Sequence, residues 1–129
     1  MNRRQLLGAL ALSAFVSLGT AALAKDQKFD QKAFDAAQTA GKPILIEVTA
    51  PWCPTCKAQA PILSKLKGES RFKDLEAFNI DFDSQKDLLK KFNVRMQSTL
   101  IVFKGKQEAG RSTGDTNAGS IEQLLGKSI

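Results

Sequence analysis

The chain's two cysteines stand three positions apart in Trp52-Cys53-Pro54-Thr55-Cys56-Lys57, where a strand-like run meets a helix-like run. Residues i and i+3 share one face of a first helical turn, and that spacing lets two sulfurs close a disulfide without moving the backbone. The start of a helix also offers unpaired N–H groups and a partial positive charge, which favour a thiolate on the first cysteine. The pattern is that of a dithiol cycling between oxidised and reduced forms. A structural staple is the weaker assignment, because so short a loop closes almost no chain and removes little unfolded-state entropy.

The first 24 residues read as an export leader. Asn2-Arg3-Arg4-Gln5 gives a basic start, an uncharged Leu/Ala-rich run extends from Leu6 to Leu18, and Ala22-Leu23-Ala24 fits a small-residue cleavage site. An uncleaved membrane anchor is the competing assignment, since no charge falls between Leu6 and Ala24. The abundance of Ala, Ser, Gly and Thr favours cleavage, so no stable membrane insertion is expected afterwards. Arg3-Arg4 ahead of Gln5-Leu6-Leu7 also resembles a twin-arginine signal, although Gly8 stands where a lysine is often seen; the general secretory route fits two arginines equally well. Bacterial export to the periplasm is the expectation, with residues 25–129 as one mature domain.

The leader removes two positive charges and no acid, leaving a net charge of +4 for the mature chain from a total of +6. The basic residues are scattered among acids with no interleaved aromatics, which argues against nucleic-acid binding. Histidine and tyrosine are both absent. That excludes Cys-His and Ser-His nucleophilic catalysis and nearly every ordinary zinc site, and leaves Glu, Asp, Lys and Cys to handle protons.

Local patterning fills in the domain. Lys25 to Lys28 reads as a polar lead, and Asp30 as the cap of a helix from about Gln31 to Ala40, stopped by Gly41. Pro43 to Val48 is a branched apolar run suited to a buried central strand. A helix over Pro54 to Lys67 is expected to kink at Pro61. Leu75 to Asp81 predicts a second core strand, Ser84 to Phe92 a helix, and Thr99 to Phe103 the clearest strand of the chain. Lys104-Gly105-Lys106 supplies a hairpin turn and Gln107 to Thr113 an edge strand. Ser120 caps a last helix through Leu125. The order predicts an α/β fold, a mixed four- to five-stranded sheet with helices on both faces.

With the motif placed on that order, the chain resembles the thioredoxin superfamily, and specifically exported bacterial thioredoxin-like proteins. The resemblance rests on Ile44-Leu45-Ile46-Glu47-Val48-Thr49-Ala50-Pro51-Trp52-Cys53-Pro54-Thr55-Cys56-Lys57, on Phe78-Asn79-Ile80-Asp81, and on Thr99-Leu100-Ile101-Val102-Phe103-Lys104, with Pro61 following in family order. It spans about Phe29 to Leu125 and implies the thioredoxin fold. By resemblance, Cys53 is an exposed nucleophile that attacks a substrate disulfide, and Cys56 is the buried cysteine that resolves the mixed disulfide. Trp52 resembles the aromatic that packs beside the site, a plain core tryptophan being the alternative. Pro54 and Thr55 form the dipeptide between the sulfurs. Lys57 either favours the Cys53 thiolate or is a solvated helix lysine. Met96, Gln97, Ser98 and Thr99 fall in the segment that faces the disulfide and binds substrate.

Two positions carry most of the remaining information. Glu47 lies within an apolar strand, where an unpaired carboxylate is expensive to bury; its alternative is a solvent-facing strand end. In the family an acid, usually Asp, sits here beneath the resolving cysteine, so Glu47 resembles the base that deprotonates Cys56 directly or through water. Burial is expected to raise its proton affinity. Ser98 departs from the pattern, standing where the family nearly always has a cis-proline. A non-proline cis bond costs about 2.5–4 kcal/mol, so either the 97–98 bond is trans with a different loop, or a strained cis bond is retained. Serine also brings an N–H and a hydroxyl beside the sulfurs, which puts substrate handling in doubt.

The expected function is thiol-disulfide oxidoreduction, most simply reduction of protein disulfides, with no cofactor beyond the Cys53–Cys56 disulfide and no resident metal. The dipeptide lacks the histidine found in family oxidases and isomerases; a less stabilised thiolate makes a stronger reductant. A reductant outside the cytoplasm needs electrons, most simply from a membrane thiol donor. The alternatives are a thiol oxidase or isomerase, and a thiolate module binding Cu(I), or zinc or an iron–sulfur cluster shared between two copies.

Overall fold

A computed structural model describes residues 24–129, so all of the expected leader except Ala24 lies outside the described residues. Five strands and four helices follow in the order β1 (Lys25–Lys28), α1 (Gln31–Thr39), β2 (Pro43–Thr49), α2 (Pro54–Lys67), β3 (Glu76–Asp81), α3 (Lys86–Lys91), β4 (Thr99–Lys104), β5 (Gln107–Thr113) and α4 (Ala118–Gly126), with a 3₁₀ turn at Ser70–Phe72 before β3. The strands lie in the order β1-β3-β2-β4-β5. β3 runs parallel to both β1 and β2, whereas β4 is antiparallel to β2 and β5 to β4. This is the mixed α/β sheet expected from the sequence.

β2 is central because its side chains have somewhere apolar to go on both faces. Ile44, Ile46 and Val48 join Phe34, Phe78, Phe92 and Ile101 beneath α1 and α3. Leu45 faces the other way, onto Leu63, Leu66, Leu100 and Ile121 beneath α2 and α4. Burying a side chain of this size contributes roughly 1.5–3 kcal/mol, and period-two alternation lets one strand serve two cores.

Local chemistry sets most of the element ends. The Asp30 carboxylate accepts the Ala33 N–H at 3.3 Å and caps α1, and Gly41 leaves that helix at φ 70°. Gly105 turns the β4–β5 hairpin at φ 57°, with an added Cβ meeting the Gly41 Cα at 3.2 Å. α2 is one continuous helix from Pro54 to Lys67 with Pro61 inside it.

Two expectations are corrected. The polar lead Lys25–Lys28 is an edge strand, because its register follows from main-chain pairing to Glu76–Asn79 of β3 rather than from any apolar side chain. The last helix is capped by Asn117, whose side-chain oxygen accepts the Ser120 N–H at 2.9 Å; Ser120 is therefore already inside the helix.

Candidate active site

Cys53 is the N-cap of α2 and Pro54 its first helical residue, where a fixed φ suits the helix and no N–H is needed. Cys53 and Cys56 are joined in a disulfide, with Cα atoms 5.3 Å apart. The Cys53 sulfur accepts the Cys56 N–H at 3.1 Å, so one of the orphan donors of the helix end points at the sulfur where negative charge develops on reduction.

The expected exposure of Cys53 is not what the oxidised structure shows. Cys53 is 0% exposed and Cys56 8%, both packed with Ala50 and edged by Phe82. Trp52 beside it is 55% exposed, which removes the core-tryptophan alternative. Its indole N–H donates to Asp83 Oδ2 at 2.9 Å, and its ring meets Phe82 edge-on at 6.4 Å. Lys57 and Pro54 are exposed and Thr55 half-buried.

Glu47 is 8% exposed, so the strand-end alternative also falls. Its side chain faces α2, and its carboxylate accepts from Lys67 Nζ at 2.8 Å; the same ammonium reaches Asp26 of β1 at 3.1 Å. Of the two expected routes, direct or through water, no direct one is present: the Glu47 carboxylate pairs with Lys67, and no hydrogen bond joins it to Cys56 among the described residues. Burial pushes the Glu47 pKa above the ordinary carboxylate range, while Lys67 opposes that rise by its charge and its hydrogen bond. The pair opens into a cleft of about 640 Å³ lined in part by Asp26, Thr49, Ser64 and Asn79. Thr49 and Asn79 exchange hydrogen bonds along its wall.

Ser98 resolves its two options in favour of a trans bond with a different backbone: among the described residues no peptide bond is cis, and Ser98 has φ 60°. The left-handed region is costly for a residue with a Cβ, and here hydrogen bonds hold it. The Ser98 N–H donates to the Val48 carbonyl at 2.7 Å, and its own carbonyl accepts from Gly114 N–H at 3.1 Å. Its hydroxyl donates to the Gln97 carbonyl. Neither donor is therefore turned to the sulfurs as the sequence suggested. The link to the dithiol is indirect, through Val48, whose carbonyl oxygen lies 3.9 Å from Cys56 Sγ. Thr99 is buried and donates to the Met96 carbonyl at 2.7 Å, whereas Met96 is 53% exposed.

Four residues of this neighbourhood escaped sequence reasoning: Lys67, Asp26, Asp83 and Gln59. Cys56, Ala60, Ser64 and Lys67 follow helical spacing, so Lys67 was accessible from periodicity once Glu47 was placed inward. Gln59 is the polar member of the buried stripe Cys56, Gln59, Leu63, Leu66. Asp26 and Asp83 carry no local signal.

Comparison with known proteins agrees with this geometry. The family profile "Thioredoxin" matches residues 22–127. The H-type thioredoxin of Fagopyrum esculentum is 32% identical over 88 residues, 68% of this chain and 73% of its own length. Thioredoxin-2 of Saccharomyces cerevisiae is 30% identical over 97 residues, 74% of this chain and 90% of its own. Among solved structures, Trxlp from Edwardsiella tarda EIB202 superposes with a TM-score of 0.76 at 39% identity, over 78% of this chain and 98% of that one. Because the match runs through every element from β1 to α4 and relatives near one-third identity cover most of it, the chain belongs to the thioredoxin family, as a disulfide oxidoreductase whose redox group is its own Cys53–Cys56 pair.

Proposed function

We propose that this protein is a reductant of protein disulfides in the bacterial cell envelope. The observation that carries the direction is the sparse support of the Cys53 sulfur. One main-chain N–H reaches it, the chain has no histidine, and the nearby Lys57 is solvated and forms no ion pair among the described residues. A thiolate with so little stabilisation is readily oxidised, which is the property of a reductant.

The cycle follows from the placement of the groups. In the reduced protein the Cys53 thiolate attacks one sulfur of a substrate disulfide, forming a mixed disulfide and expelling the other sulfur as a thiolate. Glu47, ionised and held by Lys67, takes the Cys56 proton through water in the adjoining cleft, which is roomy enough to hold it and offers Thr49, Ser64 and Asn79 as polar partners. The Cys56 thiolate then attacks Cys53 Sγ, releasing the second substrate thiolate and closing the disulfide seen here. Trp52 and the Met96–Gln97 edge form the surface on which substrate rests, with Ser98 and Thr99 buried behind it.

The basic, apolar, small-residue pattern of residues 1–24 supports export with leader removal, and residues 25–129 are the working domain. Outside the cytoplasm the dithiol is regenerated by a membrane thiol donor. Equilibration of the metal-free protein against dithiothreitol and glutathione buffers tests the direction. A reduction potential near or below about −240 mV is expected, and one above about −180 mV identifies a thiol oxidase or isomerase instead. Fractionation of cells, with N-terminal sequencing of the product, tests export.

A further inference from the structure

We propose that Gln59 is a positioning residue for substrate: its buried amide ties the Ser98 turn and the Asp115 loop to the helix that carries Cys56, and so holds the Met96–Gln97 edge in place for an extended segment of a protein substrate. The inference rests on the oxidoreductase reading, though not on the direction of electron flow.

Gln59 is 2% exposed, one helical turn beyond Cys56 on the same buried stripe. Its Nε2 donates to the Ser98 carbonyl at 3.2 Å and to the Asp115 carbonyl at 2.8 Å. One amide thus joins two segments far apart in sequence to α2. Packing alone does not call for it. Leu63 and Leu66 fill the next positions of the stripe with apolar side chains, and a buried amide is costly unless its donors are matched.

What the clamp holds is the distinctive turn of this chain. Both main-chain polar groups of Ser98 are engaged inside the protein, the N–H by Val48 and the carbonyl by Gly114 and Gln59. The Met96 and Gln97 carbonyls are taken by the Thr99 and Ser98 hydroxyls. The half-buried Gln97 keeps an N–H with no partner among the described residues, beside the exposed Met96 side chain. A free main-chain donor next to an apolar side chain suits an extended peptide, which supplies a carbonyl and an apolar residue together. Val48 connects that edge to Cys56 Sγ, so its position relative to the sulfurs depends on the turn staying fixed.

The test compares Gln59→Glu, which keeps the shape but sets carboxylate oxygens against two carbonyls, with Gln59→Met, which removes the donors and keeps the length. Each variant and the parent protein are assayed with dithiothreitol on insulin, a protein disulfide, and on 5,5′-dithiobis(2-nitrobenzoate), a small disulfide that needs no extended docking. The KM for insulin is expected to rise about tenfold in Gln59→Glu and about threefold in Gln59→Met: both lose the two hydrogen bonds made by Nε2, and the glutamate adds repulsion from the two carbonyls. The kcat, the rate on the small disulfide and the reduction potential stay at parental values. An unchanged KM, an equal loss on both disulfides, or a shifted potential overturns the proposal, as does failure of both variants to fold. If Gln59→Glu alone fails to fold, Gln59→Met decides. Parent protein that reduces neither disulfide sinks the oxidoreductase reading itself, an outcome distinct from a selective failure of the variants.

Discussion

The two faces of the central sheet are built from the same strands and do different work. Beneath α1 and α3 the core is aromatic and wholly apolar: Phe29, Phe34, Phe78, Phe92 and Phe103 meet ring to ring at centroid distances of 5.4–6.3 Å. Lys91 closes its rim by lying over three of those rings. Beneath α2 the leucines are interrupted by polar groups, namely the Glu47–Lys67 pair and the Gln59 amide. Adjacent residues of one strand, Ile46 and Glu47, fall on opposite sides of this divide. The aromatic face holds the strands in register, and the other face can then carry groups that an unsupported core would not tolerate. Stability and chemistry are divided by the pleat of β2.

The sharpest way to break that division is Phe34→Ala, which empties the centre of the aromatic cluster. A loss of about 3–5 kcal/mol is expected in denaturant unfolding, with the reduction potential of whatever remains folded unchanged. A potential that moved with it would show that the faces are coupled. Next in size is Lys67→Met on the opposite face. It strands a buried carboxylate, and a loss of about 2 kcal/mol is expected at neutral pH, less than for a fully enclosed pair because this one opens to a cleft. The cost shrinks as pH falls and Glu47 takes a proton. The same change removes what opposes the rise of the Glu47 pKa, so the acid limb of the pH–rate profile moves to higher pH.

Thr49→Val deletes the hydroxyl that pairs with Asn79 on the cleft wall and is expected to cost about 1 kcal/mol in the same unfolding assay. The smallest effect belongs to Glu47→Gln and is a slope rather than an offset. A carboxyl whose folded pKa is raised stabilises the fold below its unfolded pKa, and that contribution disappears as pH rises through the folded pKa. Relative to the glutamine variant, the parent protein therefore loses stability as pH climbs through that interval. Melting curves at a series of pH values check the sign, and a parent protein that gained stability relative to the glutamine variant with rising pH would refute the burial argument.

Features with a local cause were legible in the sequence. The bounds of α2 follow from an N-capping cysteine, Pro54 and the apolar period, and the burial of Glu47 follows from its inward neighbours. β1 was not legible because none of Lys25, Asp26, Gln27 and Lys28 needs an apolar neighbour; only the β3 edge makes them a strand. Lys67 lay within reach of helical spacing from Cys56, whereas its second partner Asp26 did not, because that contact joins β1 to α2 and exists only once the strands are ordered. The burial of Cys53 comes from tertiary packing against Ala50, Cys56 and Phe82, and the left-handed Ser98 depends on Val48, Gly114 and Gln59 converging on one turn.

The position of Trp52 turns the protein into its own instrument. The chain has one tryptophan and no tyrosine, and that indole is half-exposed next to Cys53. The phenylalanines do not absorb at wavelengths that excite indole, so all emission excited there comes from a single point at the lip of the disulfide. Opening or closing of the sulfur bridge, and arrival of a substrate over it, alter the surroundings of that one fluorophore. Both the redox titration and the docking of peptides can therefore be followed in unlabelled protein, with the signal arising at the site of the chemistry.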